Sequence, residues 1–226
     1  MKLQAPEGMK ESLEPTDLCD SDNEEIKKKA QELIKDAKTP QEAAIRIFYF
    51  VRDQIPFGVD HADTKASETL KKGLGFCVTK TNLQIALLRV IGIPARYHQV
   101  VLDKDILKGI LPDSIHKNME KKIWFHPWCE CYLSEKWVSC DLFLDKALYD
   151  AACRKGIISK EKIPTIDWDG ENDLKTTTAW IIEDVGTLVS FDEVSRKVRE
   201  ESKISKDEAK KLYDSSNQYT DKLRKG

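Results

Sequence analysis

The sequence predicts an α+β fold: N-terminal helices packed on an antiparallel sheet, with a helical extension at the C-terminus. Three observations lead there. Helical apolar spacing with capping signals runs through residues 21–91, strand-like segments rich in aromatic and β-branched residues occupy 95–143, and capping boxes return after residue 190. The 226 residues are expected to divide into a flexible segment at 1–20, a main domain at 21–189 and a charged helical extension at 190–226.

Ser21 and Glu24 form a Ser-x-x-Glu box, after which Ile26, Ala30, Leu33, Ile34 and Ala37 keep a helical period, predicting a helix to about Lys38. Thr39 and Glu42 form a second box. Pro40 falls at the first helical position, where a missing N–H costs nothing, and the helix it opens is apolar nearly all round until Pro56 and Gly58 stop it. A short turn is expected near Ser67–Lys72. Gly73 and Gly75 then precede Phe76-Cys77, where a dense apolar helix begins that ends at Gly92-Ile93-Pro94, a left-handed cap and a stop.

Ala95 to Leu102 reads as a strand, Asp103 to Lys122 as a charged excursion with a short helix, and Ile123 to Phe143 as a hairpin turning at Ser134-Glu135-Lys136. Lys146 to Lys155 looks helical, and a further apolar strand is expected around Ala179–Ile182. Boxes at Ser190/Glu193 and Ser205/Glu208 open C-terminal helices whose Lys/Glu runs read as solvated faces.

Composition excludes several classes. With 37 basic and 39 acidic side chains the net charge is −2, so no field of one sign would gather nucleic acid. No apolar run is long enough to span a membrane and no apolar leader follows Met1, so a cytoplasmic protein is expected. The six cysteines, at 19, 77, 129, 131, 140 and 153, are then expected as thiols.

Cys77 stands out among them. It opens a buried helix after a glycine-rich turn, where unpaired N–H groups and the helix dipole favour a thiolate and an oxyanion alike. The plainer role is a small buried thiol packing the helix on the sheet. His126 alternates with Trp124 and Trp128, so all three are expected on one face, with the tryptophans as candidate substrate-binding walls. A hairpin centred at Leu133/Ser134 sets His126 opposite Asp141, close enough for the carboxylate to orient the imidazole; centring it on Glu135 would move the pairing by three residues.

These segments resemble a known family. Gly75-Phe76-Cys77, the helix end Gly92-Ile93-Pro94-Ala95-Arg96, His126-Pro127-Trp128-Cys129-Glu130 and Trp137-Val138-Ser139-Cys140-Asp141 are similar in order and spacing to the core of the transglutaminase-like superfamily. The resemblance covers about residues 44–145. It implies a papain-like fold, with Cys77, His126 and Asp141 as nucleophile, base and orienting carboxylate, and no cofactor. It also implies acyl transfer from a peptide or protein amide through a thioester, with water or an amine as second acceptor. A module that keeps the cleft but has lost catalysis is the alternative. Pro127 departs from a regular strand and requires an edge or a bulge, and Gln54 is the only upstream side chain that suggests itself as a second oxyanion donor.

Competing sites are weaker. His126, Cys129, Cys131 and Cys140 include the ligand types zinc prefers, but alternation places the thiols opposite His126, so no metal site is expected. His98 is expected to be structural or to face substrate, and His61 and His116 to be solvated.

Overall fold

The computed structural model describes residues 8–201 and 204–226. Eight α-helices and four strands are present among them, in the order α1 (Glu24–Ile34), α2 (Pro40–Gln54), α3 (Ala66–Lys72), α4 (Cys77–Val90), β1 (Ala95–Asp103), α5 (Asp113–Asn118), β2 (Lys122–Leu133), β3 (Lys136–Cys140), α6 (Lys146–Arg154), β4 (Ile181–Leu188), α7 (Asp192–Glu201) and α8 (Lys206–Lys225). The strands form one antiparallel sheet in the order β3-β2-β1-β4.

Helix α4 is the centre of the fold. It is buried on all sides, including Thr79, Lys80, Thr81, Asn82 and Gln84, because α1, α2 and α3 cover one side of it and the sheet the other. Several of its buried polar groups find partners: the Lys80 ammonium donates to the Arg52 carbonyl (3.1 Å), and Asn82 Oδ1 accepts from the Tyr97 hydroxyl (2.9 Å). The Arg89 guanidinium donates to the carbonyls of Ala95, Glu14 and Val189, binding the end of α4 to segments far apart in sequence. Gly92, at φ +81°, terminates the helix in the left-handed conformation its sequence position implied.

Several boundaries differ from the sequence reading. Helix α1 is capped by Asn23, whose side chain accepts from the Glu25 N–H, so the Ser21/Glu24 box does not form; the helix stops at Ile34. The Ser67–Lys72 turn is part of α3. The Ser190/Glu193 box gives way to a helix that starts at Asp192, with the Ser190 hydroxyl accepting from its N–H (3.2 Å). Caps at Thr39 and Ser205 form as expected.

The terminal segments are more integrated than charge patterning suggested. Residues 1–7 lie outside the described residues, but Leu18, Cys19 and Asp20 are buried, which corrects the expectation of a flexible segment for that part. Asp192, near the start of α7, holds them by accepting from the Thr16 hydroxyl and the Asp17 N–H, both at 3.0 Å. Helix α8 is not a purely solvated face either. Ala209, Ser216, Thr220 and Leu223 are buried, and Arg224 reaches the Asp145 carboxylate (2.7 Å) and the Phe57 carbonyl.

Candidate active site

Two loops and one hairpin bring the predicted residues together. The segment before α4 is pinned to the one after α2: the Gly58 N–H donates to the Gly75 carbonyl (2.9 Å) and the Gly75 N–H to the Pro56 carbonyl (3.2 Å). A Cβ at Gly75 would lie 2.6 Å from the Thr79 hydroxyl, so only glycine allows the chain to enter α4 this closely. Cys77 is thereby fixed as the first residue of α4, half-buried. One turn later Thr81 donates its hydroxyl to the Pro127 carbonyl (3.2 Å), which ties the start of α4 to the histidine strand.

The β2–β3 hairpin turns on Ser134 and Glu135, both at positive φ, and pairs Leu133 with Lys136 and Cys129 with Cys140. This corrects the predicted register. One step beyond the end of β3, Asp141 comes level with Trp128 rather than His126. A displacement of two residues preserves the alternation of a strand, so Asp141 remains a diagonal neighbour of His126 on the same face. Its Oδ1 lies 3.5 Å from His126 Nε2, with both side chains buried. That is an ion-pair distance rather than a tight hydrogen bond, and Nε2 has no closer partner.

Pro127 is tolerated because it lies past the end of β3, where β2 has only β1 beside it. At Pro127 the β1–β2 pairing is regular, so the bulge expected there as an alternative does not form; the pairing slips by a residue between Ile123 and His126 instead. That slip breaks the alternation on which the tryptophan expectation rested. Trp124 is turned outward, 51% exposed, donating to Glu120 and lying under the Lys122 ammonium. Trp128 is fully buried and stacks on His98 at 4.4 Å. Neither lines the cavity beside Cys77. That place is taken by Phe57, Phe76, Phe125 and Phe143.

The sequence reading missed Thr176. Its hydroxyl (2.7 Å) and N–H (3.2 Å) both donate to Asp141 Oδ2, leaving Oδ1 for the imidazole. The contact exists because residues 173–176 run alongside the end of β3, where Asp141 donates its N–H to the Leu174 carbonyl (3.0 Å).

Electrostatics around His126 are dominated by its neighbours. Burial alone would lower its pKa, but the Asp141 carboxylate and the interaction with Cys77 outweigh that and push it up to about 10, so the ring carries a proton at neutral pH. Lys80, one turn into α4, behaves oppositely: burial, only partly offset by Asp145 and Asp53, brings it down to about 8. Cys129, Cys131 and Cys140 are buried between β2, β3 and α4; desolvation pushes the Cys129 and Cys140 thiols up, and contact with Cys140 together with desolvation does so for Cys131. Gln84 donates to the Cys140 sulfur at 3.2 Å.

Remaining candidates fall away from the cavity. Gln54 opens instead on a polar groove between α1, α2 and α3. His98 is held by Glu130 (2.9 Å) and Asp184 (2.8 Å). His116, expected in solvent, is buried with Nε2 3.2 Å from the Lys104 carbonyl, because α5 folds back on the turn after β1. His61 is exposed and packs edge-on to Tyr213.

Residues 27–142, which include Cys77, His126 and Asp141, match the transglutaminase-like superfamily. The chain belongs to this superfamily. Among solved structures, the transglutaminase-like chain is similar to a proposed cysteine protease from Cytophaga hutchinsonii, at 24% identity and TM-score 0.48, over 62% of this chain and 43% of that one. It is also similar to red sea bream transglutaminase, at 17% identity and TM-score 0.37, over 52% of this chain and 26% of that one. It thus spans less than half the length of these structures. No curated protein matches it. No helix among the described residues is long and apolar enough to cross a membrane.

Proposed function

We propose that the chain is a thiol-dependent acyl-transfer enzyme in which Cys77 attacks an amide carbonyl, His126 moves the proton and Asp141 orients His126. The observation that carries this is that Cys77 and buried His126 line one cavity of about 570 Å³, with His126 Nε2 3.5 Å from the Asp141 carboxylate.

In this reading Nε2 is directed at the carboxylate, so the proton exchanged with sulfur and substrate travels through Nδ1. The Cys77 sulfur, as thiolate beside the imidazolium, adds to the carbonyl carbon. The N–H groups of the first turn of α4 have no partner within the helix and are placed to receive the oxyanion. His126 then protonates the departing amine as the C–N bond breaks, leaving a thioester and a neutral imidazole. That imidazole takes a proton from the second nucleophile, water or an amine, which adds to the thioester carbonyl; the C–S bond breaks, releasing the acyl group and restoring the thiolate beside the imidazolium. The carboxylate, fixed by Thr176, keeps the ring oriented through both halves. Peptidase, deamidase and amine-transfer outcomes share these steps, and a soluble peptide or protein amide is the substrate class proposed.

Labelling with iodoacetamide at pH 6–7 tests it. Cys77 is expected to react at least tenfold faster than any other thiol of the chain, and His126→Ala is expected to remove that advantage. Uniform slow labelling of the half-buried thiols Cys77 and Cys153 in both proteins would instead identify a cleft-bearing module without catalysis.

A further inference from the structure

The cavity beside Cys77 has a chemistry of its own. Although 34% of the residues in this chain are charged, no Asp, Glu, Lys or Arg among the described residues lines the cavity, and the ionisable side chains among them that do are Cys77 and His126. Apart from a few short polar groups such as Ser114 and Ser216, its walls are hydrocarbon. They come from parts of the chain far apart in sequence: the aromatic residues already named, Leu107 from the turn after β1, Ile115 and Met119 at α5, and Leu212 from α8. The cavity size falls within the usual range of sites for small organic groups.

We propose that this cavity is the apolar subsite of the enzyme, and that its substrate carries an uncharged aliphatic or aromatic group next to the bond that Cys77 attacks. This rests on the reading of Cys77 given above. The argument is one of desolvation. A charged or strongly polar group entering the cavity would lose its water and meet no counter-ion and few donors, whereas an apolar chain gives up nothing and gains contact on all sides. The other sizeable cavities make the contrast clear. The one between α1, α2 and α3 sets Glu25, Lys28, Lys29, Glu32, Glu68 and Lys71 beside Phe50, Ile55 and Leu70, and does not reach Cys77.

The test compares two alkylating reagents, iodoacetamide and N-hexyliodoacetamide. Both react in one way: the Cys77 sulfur forms a bond to the methylene carbon as the C–I bond breaks, iodide leaves and the thiol proton is lost to solvent. Each rate is divided by the rate of the same reagent with glutathione. Each methylene buried in the cavity is worth up to about fourfold, so Cys77 is expected to prefer the hexyl reagent by at least tenfold. Ile115→Glu and Met119→Glu, which place a charge in the wall at half-buried positions, are expected to abolish the preference. Two such variants guard against misfolding of either one. Equal corrected rates for the two reagents would overturn the subsite. The outcomes separate the two ideas: a fast reaction without chain preference defeats the subsite alone, a slow reaction with preference defeats the nucleophile alone, and a slow reaction without preference defeats both.

Discussion

Stability is expected to fall by about 1.4 kcal/mol per pH unit between pH 7 and 8, to level off up to about pH 9, and to fall again above that, where the unfolded chain loses the thiol protons that buried Cys19, Cys129, Cys131 and Cys140 keep. Two buried groups with opposite shifts produce the first fall and the plateau. His126 is raised from 6.5 to about 10. The folded protein therefore holds a proton that the unfolded chain has already lost, and the stability His126 contributes is fully present below pH 6.5 and disappears as the pH climbs to 10. Lys80 is lowered from 10.5 to about 8, so above pH 8 the unfolded chain holds the extra proton and folding is favoured as pH rises. Between 8 and about 9 the two slopes cancel, and above 9 the buried thiols add a downward slope of their own.

Single substitutions separate them. In Lys80→Met the downward slope is expected to continue unbroken past pH 8; in His126→Gln it disappears between pH 7 and 8, and stability rises from pH 8 to about 9. Urea unfolding at half-unit pH intervals measures both. A wild-type curve flat from pH 7 to 8, or a His126→Gln curve that still falls there, would remove the basis for a protonated imidazole at neutral pH. The protonated ring also matters to the proposed chemistry, because it is the state that pairs with a thiolate and delivers a proton to the departing amine.

Much of this site was legible because its parts lie in local signals. A glycine-preceded helix start marks Cys77, and the structure adds the reason for Gly75, the Thr79 hydroxyl against which a Cβ would press. The Gly92 cap was read correctly for the same local reason. His126 and Asp141 were placed together by strand alternation, which survives a two-residue error in register. The error itself arose because Ser134 and Glu135 take positive φ without glycine or asparagine, so the turn carries no signature in its residue types. Trp124 was misassigned because a bulge changes the face of a side chain without changing the alternation visible in the sequence. Thr176 was invisible for a different reason. It reaches Asp141 from 35 positions away through an irregular segment, and no periodicity links the two.

Replacing Arg224 by alanine is expected to cost about 3 kcal/mol, far more than a surface ion pair is worth. Charge patterning places Arg224 in a solvated Lys-rich run, yet its guanidinium and the Asp145 carboxylate are 13% and 4% exposed, 2.7 Å apart. Asp145 is a junction. It caps α6 by accepting from the Leu148 N–H (2.9 Å), accepts from the Phe57 N–H (2.8 Å), and faces Lys80 across the start of α4. Burial would raise its pKa, but Arg224, the Phe57 N–H and Lys80 together hold it below the usual carboxylate range. Its contribution is therefore present above about pH 4 and lost as the pH falls below that. Without Arg224 the carboxylate stays buried with its largest source of compensation gone, and the end of α8 loses its hold on Phe57. The expected drop in melting temperature is about 10 °C, and Asp145→Asn combined with Arg224→Ala is expected to recover part of it, because no buried charge is then left unpaired. A loss under 1 kcal/mol in Arg224→Ala would show that α8 is held by its apolar contacts alone. Since Phe57 and Leu212 both border the cavity beside Cys77, the same variant is expected to reduce the preference for the hexyl reagent, tying the wall of the proposed subsite to one ion pair at the far end of the chain.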